Sequence, residues 1–349
     1  MLPPKEGFAP EAVGAIGLLV HRLARAGAGG VVLGLGGAHA PFGDVAFETV
    51  RPGLGFSNAA RYAAGVGRAV RRLGPRLVEV HNWPEVAWRL RGRGRAVSLI
   101  LNNDPQSMQG ARTAEQRGAL LRGLAGVATS SAWLRDRYME RVGGDELVTV
   151  LPNCIDVPPP PPPVDRARLI LFAGRVVADK GADAFVAACG AVLPGLPGWR
   201  AEMIGADRFR VDSPDTPFLR TLRPAAAAAG VAMLGHQTNQ VVLAAMRRAA
   251  IVVVPSRWAE PFGLVALEAM AEGAALVCSG RGGLREVAGD AAAYADPDAP
   301  GALAEAILAL ALDEGRRAAL AAAGRARAET FGAPAAAARL LAWRVALLA

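Results

Sequence analysis

Two glutamates eight positions apart, Glu260 and Glu268, flank the turn Pro261-Phe262-Gly263 just after the apolar run Ile251 to Val254. That run is short and β-branched, the composition of a parallel strand buried on both faces, and Pro255 ends it. A helix is expected from about Gly263 to Glu272. Open α/β sheets bind ligands at the carboxyl ends of their strands, where helix N-termini also point. Residues 261 to 264 would present backbone N–H groups and the positive end of a helix dipole there, which suits a phosphate or a sugar hydroxyl. Glu260 precedes the helix and Glu268 lies about two turns into it, so one carboxylate can meet the head of a ligand and the other its tail. The plainer alternative is that Glu260 caps the helix and Glu268 is solvated.

A second cluster, Phe172-Ala173-Gly174-Arg175-Val176-Val177-Ala178-Asp179-Lys180-Gly181, also follows an apolar strand and precedes a helix. Gly174 lets the backbone approach a ligand closely, and Arg175 with Lys180 can neutralise a diphosphate. Together with Glu260 and Glu268 the cluster suits a nucleotide-sugar, which offers diphosphate, ribose and hexose to be met separately. Two other motifs are weaker. Gly34-Leu35-Gly36-Gly37 follows a strand but is not G-x-G-x-x-G. Asp296-Pro297-Asp298 has D-x-D spacing, but Asp298 reads more simply as the N-cap of a helix beginning near Pro300.

The elements that must position these residues alternate, short apolar runs with helical periods, as in parallel sheets wrapped by helices. The first half reads as a helix from about Glu11 to Ala26, strands near Val31 to Leu35, Leu77 to Val80, Val97 to Leu101 and Gly126 to Thr129, a helix from about Ala132 to Arg141, and a strand near Leu147 to Val150. The second half has strands near Leu169 to Ala173, Ala201 to Ile204, Val231 to Leu234, Ile251 to Val254 and Ala275 to Cys278. Two doubly wound α/β domains are expected, residues 1–157 and residues 168–330, the second carrying both clusters that suit a nucleotide-sugar. Between them, residues 158–167 hold six consecutive prolines, Pro158 to Pro163, a stiff spacer. The last helix, within residues 331–349, is expected to pack across the domains. Met1 to Phe8 leave almost no room for a strand before the first loop, so either the first sheet is built without its central strand or the start codon is misassigned.

At 349 residues, 52% hydrophobic and 20% charged, the chain is long enough for two cores and too apolar for disorder. Its net charge of 39 − 31 = +8 is uneven, with 19 Lys/Arg against 13 Asp/Glu in residues 1–157 and 20 against 18 beyond. Arginines gather at Arg68, Arg71, Arg72, Arg76 and from Arg89 to Arg95, a face that suits an anionic lipid surface or a phosphorylated substrate. No interleaved aromatics support nucleic acid as a partner. Cys154, Cys189 and Cys278 have no metal or disulfide spacing and read as reduced, buried thiols of a cytosolic protein. No apolar stretch is long enough to span a bilayer, so the expected location is cytoplasmic, peripheral at most to the inner face of a membrane.

With these motifs in place, the second half resembles the retaining glycosyltransferases of family 4, within the glycosyl transferases group 1. The resemblance runs from Leu169 to about Leu310 and is carried by Gly174-Arg175 with Lys180-Gly181, Pro255-Ser256, Glu260-Pro261-Phe262-Gly263 with Glu268-Ala269-Met270, and Gly282-Gly283-Leu284-Arg285-Glu286. It implies the GT-B fold, two facing Rossmann-like doubly wound domains with an interdomain cleft. It further implies that Arg175 and Lys180 hold the donor diphosphate, that Glu268 binds the ribose and that Glu260 faces the donor sugar. Gly181, Pro261 and the backbone N–H groups of Phe262, Gly263 and Leu264 would complete the donor contacts. The first half is similar more loosely: Gly14 falls where the family's first loop approaches the donor phosphates. His81 and Asn82, then Asn102 and Asp104, follow two strand ends on the acceptor or sugar side. Asn102 stands where many relatives carry histidine, and unlike imidazole it cannot carry a proton. His81 has a structural role as its alternative. His39 and His236 read as loop residues and His21 as a surface helix residue.

The resemblance thus implies a hexosyltransferase that retains configuration and acts on a saccharide or lipid-linked acceptor in cell-surface polysaccharide or lipopolysaccharide synthesis. No cofactor or metal is expected, since Arg175 and Lys180 supply the positive charge. The alternatives are a nucleotide-sugar epimerase of the same fold and a non-catalytic nucleotide-sugar-binding scaffold.

Overall fold

The computed structural model describes residues 1–92, 94–144, 147–159, 166–207 and 215–349. Pro160 to Pro163 of the proline run, and Arg93 of the arginine cluster, lie outside the described residues. The chain divides into two compact units, one of Met1–Asp156 with Phe331–Ala349 and one of Val157–Thr330.

The first unit begins with a small antiparallel hairpin, β1 (Phe8–Ala9) and β2 (Ala12–Val13), followed by α1 (Ala15–Leu23). The expected helix from Glu11 therefore starts four residues later, because Ala12 and Val13 pair with the preceding strand and extended Gly14 serves as N-cap. β3 (Val32–Gly34) and β4 (Phe47–Thr49) form a parallel pair. α2 (Asn58–Leu73) starts at a Ser57 side-chain cap and stops at Gly74 in the left-handed conformation. β5 (Leu77–His81), α3 (Pro84–Leu90), β6 (Ala96–Leu101), α4 (Ala114–Gly123), β7 (Gly126–Thr129), α5 (Ala132–Met139) and β8 (Thr149–Val150) complete a parallel sheet of order β5-β6-β7-β8.

Met1 and Leu2 lie between β3 and β5, with Leu2 N–H donating to Leu33 O at 2.8 Å and Met1 O accepting from His81 N–H at 3.1 Å. The C-terminal helix, Ala333–Ala346, packs within this unit, its Ala337, Leu340 and Trp343 buried with Ala28, Ile100 and Ala128.

The second unit contains β9 (Ala167–Ala173), α6 (Ala182–Val192), β10 (Arg200–Ile204), α7 (Pro217–Ala228), β11 (Val231–Met233), α8 (Asn239–Arg248), β12 (Ala249–Val254), α9 (Leu264–Ala271), β13 (Ala275–Cys278), α10 (Leu284–Ala288), β14 (Ala292–Tyr294), α11 (Ala302–Leu312) and α12 (Glu314–Glu329). Its sheet is wholly parallel, of order β11-β10-β9-β12-β13-β14. Every residue of β12 is buried, as expected of a β-branched run covered on both faces. From β9 the chain builds outward to β10 and β11, then returns to β12 and builds the other way, so the strand order reverses between β9 and β12. Such a switch point leaves a crevice at the strands' carboxyl ends.

Candidate functional site

Both sequence clusters leave the sheet at that switch point. After β9 the chain turns through Gly174, whose φ of 147° disfavours any residue with a Cβ, while its N–H donates to Ile204 O at 3.0 Å. A single 3-10 turn, Ala178–Lys180, ends on Gly181 at φ 70°. A Cβ on Gly181 would lie 2.0 Å from Pro255 O, so glycine there is what lets the two loops meet. The Asp179 carbonyl joins them by accepting the N–H groups of Arg257 (2.8 Å) and Trp258 (2.9 Å) and the Ser256 hydroxyl (3.3 Å).

With the loops joined, Lys180 Nζ lies 2.5 Å from Glu260 Oε1, the two side chains only 23% and 13% exposed. Arg175, on the same loop as Lys180, is exposed. Glu260 is held from behind. Its carbonyl accepts the Gly283 N–H at 2.7 Å, and its backbone bridges to Gly282, where a Cβ would come within 2.4 Å of that carbonyl. Gly263, at φ 107° and without a side-chain cap, opens α9 from Leu264, beside the buried Phe262 and after Pro261. Glu268 is buried on the second turn of α9.

The unit thus brings together Gly174, Arg175, Lys180, Gly181, Glu260, Pro261, Phe262, Gly263 and Leu264 on the loops after two adjacent strands, with Glu268 on the helix that follows. Sequence reasoning did not assign the joining role of Asp179 and Ser256 or the clamp of Gly282 and Gly283. Signals for both were present: a polar pair around each turn, and two glycines in succession after a strand.

The Asp296-Pro297-Asp298 motif has different partners from those expected. Asp298 accepts from Arg257 Nε at 2.6 Å and Arg281 Nη2 at 2.7 Å, and Asp296 accepts from Arg281 at 2.7 Å. Arg257 and then Arg281 hold the Asp298 carboxyl below its ordinary range. α11 begins at Ala302 with Gly301 as its N-cap, so Asp298 is not the cap.

In the first unit, the Glu6 carboxylate crosses the N-terminus of α1 and accepts the Gly17 N–H at 3.3 Å. A Cβ on Gly14 would meet Glu6 Oε2 at 1.9 Å, so Gly14 accommodates a carboxylate belonging to this chain. Burial raises the pKa of Glu6 against the opposing hydrogen bonds from Gly17 and Ile16. The sequence reading passed over Glu6.

His81 is 2% exposed and its Nε2 lies 3.1 Å from Glu79 Oε1, which fits the structural alternative for it. Burial pushes Glu79 up, but His81 and then Arg344 outweigh that and hold it ionised well below the usual carboxylate range. Burial lowers the pKa of His81 against the opposing hydrogen bond and charge of Glu79. Asn82, at φ 50°, accepts the Asn102 N–H through Oδ1 at 2.7 Å. The Asn102 amide oxygen and nitrogen are buried with no hydrogen-bond partner among the described residues. Asp104 caps a 3-10 turn through Gln106 N–H at 3.0 Å and pairs with Arg137 at 3.1 Å.

His21 departs from its expected surface position. It is buried, stacked on Phe42 with ring centroids 3.8 Å apart and 2.8 Å from Asp44 Oδ1. All three cysteines are buried and unpaired, and burial raises each thiol pKa to about 12.

Residues 158–327 match the family described as Glycosyl transferases group 1. A D-inositol 3-phosphate glycosyltransferase of Xylanimonas cellulosilytica is 40% identical over 185 residues, 51% of this chain and 42% of that protein. This chain therefore spans less than half the length of that curated relative. Among solved structures, the sucrose-phosphate synthase of Thermosynechococcus elongatus is similar with a TM-score of 0.82 at 19% identity, covering 99% of this chain and 98% of that one. Anabaena Alr3699/HepE, solved in complex with UDP and glucose, is similar with a TM-score of 0.76 at 18% identity, covering 99% and 98% of the two chains. The chain accordingly has the α/β GT-B fold, and its second unit is similar, over residues 158–327, to the glycosyl transferases group 1.

Proposed function

We propose that this protein transfers a hexose from a nucleoside-diphosphate sugar to a saccharide or lipid-linked acceptor with retention of configuration. The observation that carries the reading is the meeting of Lys180 and Glu260 at the switch point of one sheet, with Arg175 on the Lys180 loop and the N-terminus of α9, without a side-chain cap, following the Glu260 loop. Breaking the sugar–diphosphate bond leaves negative charge on the leaving group and positive charge on the ring. Lys180, Arg175 and the helix N-terminus stabilise the first, and Glu260 supports the second. Lys180 has three N–H donors and uses one on Glu260, so two remain for phosphate oxygens. Glu268 takes the ribose hydroxyls. The two cations supply the charge a divalent metal would otherwise bring, so the proposed reaction is metal-independent.

Cell-surface polysaccharide or lipopolysaccharide synthesis at the inner face of a membrane is the proposed setting. Among the described residues no helix is long and apolar enough to cross a membrane. Leu54 and Phe56 are fully exposed on the loop before α2, which also carries exposed Arg51, and Arg61, Arg68, Arg71 and Arg72 are exposed along α2. An apolar loop followed by an arginine-bearing helix suits an anionic bilayer.

The test is calorimetric titration with UDP, GDP and ADP, each with and without chelator, on the wild type and on Glu268→Ala. One nucleotide that binds despite chelator and binds the variant more weakly supports the donor site. No binding by any of the three to folded protein rejects it. An epimerase would instead isomerise the nucleotide-sugar with no acceptor present.

A further inference from the structure

The loop between β13 and α10 carries Arg281, Gly282 and Gly283 in succession, and it grips the loop after the neighbouring strand β12 at two places. At one end Gly283 N–H donates to Glu260 O at 2.7 Å. At the other, Arg281 Nη1 donates to Arg257 O at 3.2 Å. The backbone from Arg257 to Glu260 is thereby held at both ends. The first contact is made by backbone alone, but the second depends on whatever aims the Arg281 side chain. Two carboxylates do so. Arg281 Nη2 donates to Asp296 Oδ1 and to Asp298 Oδ2, each at 2.7 Å, while Asp298 Oδ1 accepts from Arg257 Nε at 2.6 Å. One carboxylate therefore bridges two arginines from neighbouring loops. Arg257 extends the net, its Nη1 donating to Ala178 O at 2.9 Å and to Asp183 Oδ1 at 2.6 Å. The net runs from the loop after β14 to the 3-10 turn that carries Lys180.

We infer that Arg281, aimed by Asp296 and Asp298, is a positioning residue for Glu260: it fixes the Arg257 to Glu260 backbone and so the place of the Glu260 carboxylate against Lys180. The inference rests on the proposed role of Glu260 toward the donor sugar. Partly exposed ion pairs contribute little to stability, so what this net supplies is geometry at the loop it surrounds. Arginine suits the task because its planar fork reaches a carbonyl and two carboxylates from separate nitrogens. Lysine would keep the charge and lose that reach. Both N–H groups of Nη2 and one of Nη1 are engaged within the chain, and the two aspartates offset the charge. Arg281 is therefore a poor ligand for a donor phosphate and acts through Glu260 instead.

The test compares wild type, Arg281→Lys, Asp298→Asn, Glu260→Gln and the double variant Glu260→Gln with Arg281→Lys. The rate is release of nucleoside diphosphate to water from saturating UDP-glucose, ADP-glucose or GDP-mannose, whichever the wild type cleaves, and affinity for the matching nucleoside diphosphate is measured by calorimetry. Arg281→Lys and Asp298→Asn should each cleave roughly 10- to 100-fold more slowly, since a small misplacement of a reacting group is costly. Their nucleotide affinity should stay within about twofold of wild type. With Glu260→Gln already present, adding Arg281→Lys should cost no more than about twofold, because no carboxylate is left to misplace. Full activity in both single variants overturns the inference, as does an equal loss from Arg281→Lys with and without the Glu260 carboxylate. A large fall in nucleotide affinity in Arg281→Lys overturns it too, by making the arginine a donor ligand. Wild type that binds no nucleotide and cleaves no nucleotide-sugar overturns the proposed function itself, and this inference with it.

Discussion

Lys180 Nζ and Glu260 Oε1 stand 2.5 Å apart although 80 positions separate them, because each lies on the loop after one of two adjacent strands, and those loops share the Asp179 carbonyl. Removing either charge should have a distinct signature. Lys180→Ala should lower the single-turnover transfer rate by roughly 10²–10³ and also weaken nucleoside-diphosphate binding, since in the proposed site the lost group neutralises the leaving phosphates. Glu260→Gln should lower the rate with nucleotide binding nearly unchanged. Wild-type affinity for the diphosphate in Lys180→Ala would remove lysine from the proposed leaving-group site.

In the proposed function Glu268 binds the ribose. A charged hydrogen bond contributes about 1.5–3 kcal/mol, so Glu268→Ala should weaken binding of the preferred nucleotide roughly ten- to hundredfold by calorimetry. A nucleotide lacking ribose hydroxyls supplies the control. It should bind wild type and variant alike, and an equal loss for both would point to a general disturbance of α9.

Gly181→Ala probes the joint between the loops. The new Cβ would lie 2.0 Å from Pro255 O at a φ of 70°, so the backbone must shift. Strain of this kind costs about 1–3 kcal/mol, read as a fall in the unfolding midpoint of the second unit together with reduced nucleotide affinity. A variant as stable as wild type would show the contact to be more compliant than its geometry suggests.

Chain beginning at Met1 should gain stability between pH 6 and 8. Burial holds the Met1 ammonium pKa down to about 6, with Glu79 opposing and Arg344 adding to the shift. In the unfolded chain the group returns to about 8, so within that window the unfolded state binds the extra proton and stability rises with pH. Full benefit is present above pH 8 and is lost as pH falls through 6, a difference of about 2–3 kcal/mol. His81, lowered by burial, acts in the same direction, while Glu79 remains ionised throughout. Chemical denaturation across the window checks this, and a flat profile would place the amine in water.

Leu54→Ser with Phe56→Ser should abolish most co-sedimentation with vesicles rich in anionic lipid while leaving nucleotide affinity intact. Wild type should bind such vesicles at low salt and release them at high salt. Equal sedimentation of the double variant would assign any membrane attraction to the arginines alone.

Much of the second unit was legible because its signals are local. The Ala275 to Cys278 strand carries its expected limits, and β9, β10, β11 and β12 fall within two residues of theirs. An unbroken apolar run needs no partner information to be read as a buried parallel strand. β14 and β4 were missed because three-residue strands become strands only when a neighbour supplies the ladder. α2 was seen only as an arginine cluster, since its apolar side is largely alanine and glycine.

The division for the site follows the same physics. Residue types and spacing determined that two cations, two carboxylates and a glycine-led helix follow strand ends, since these are properties of contiguous segments. Only the tertiary structure decided that Lys180 meets Glu260, that Arg257 and Arg281 occupy Asp296 and Asp298, and that His21 and His81 are buried. Each of those outcomes depends on which strands become neighbours. That is a long-range choice made by the packing of whole sheets, and no local run of residues records it.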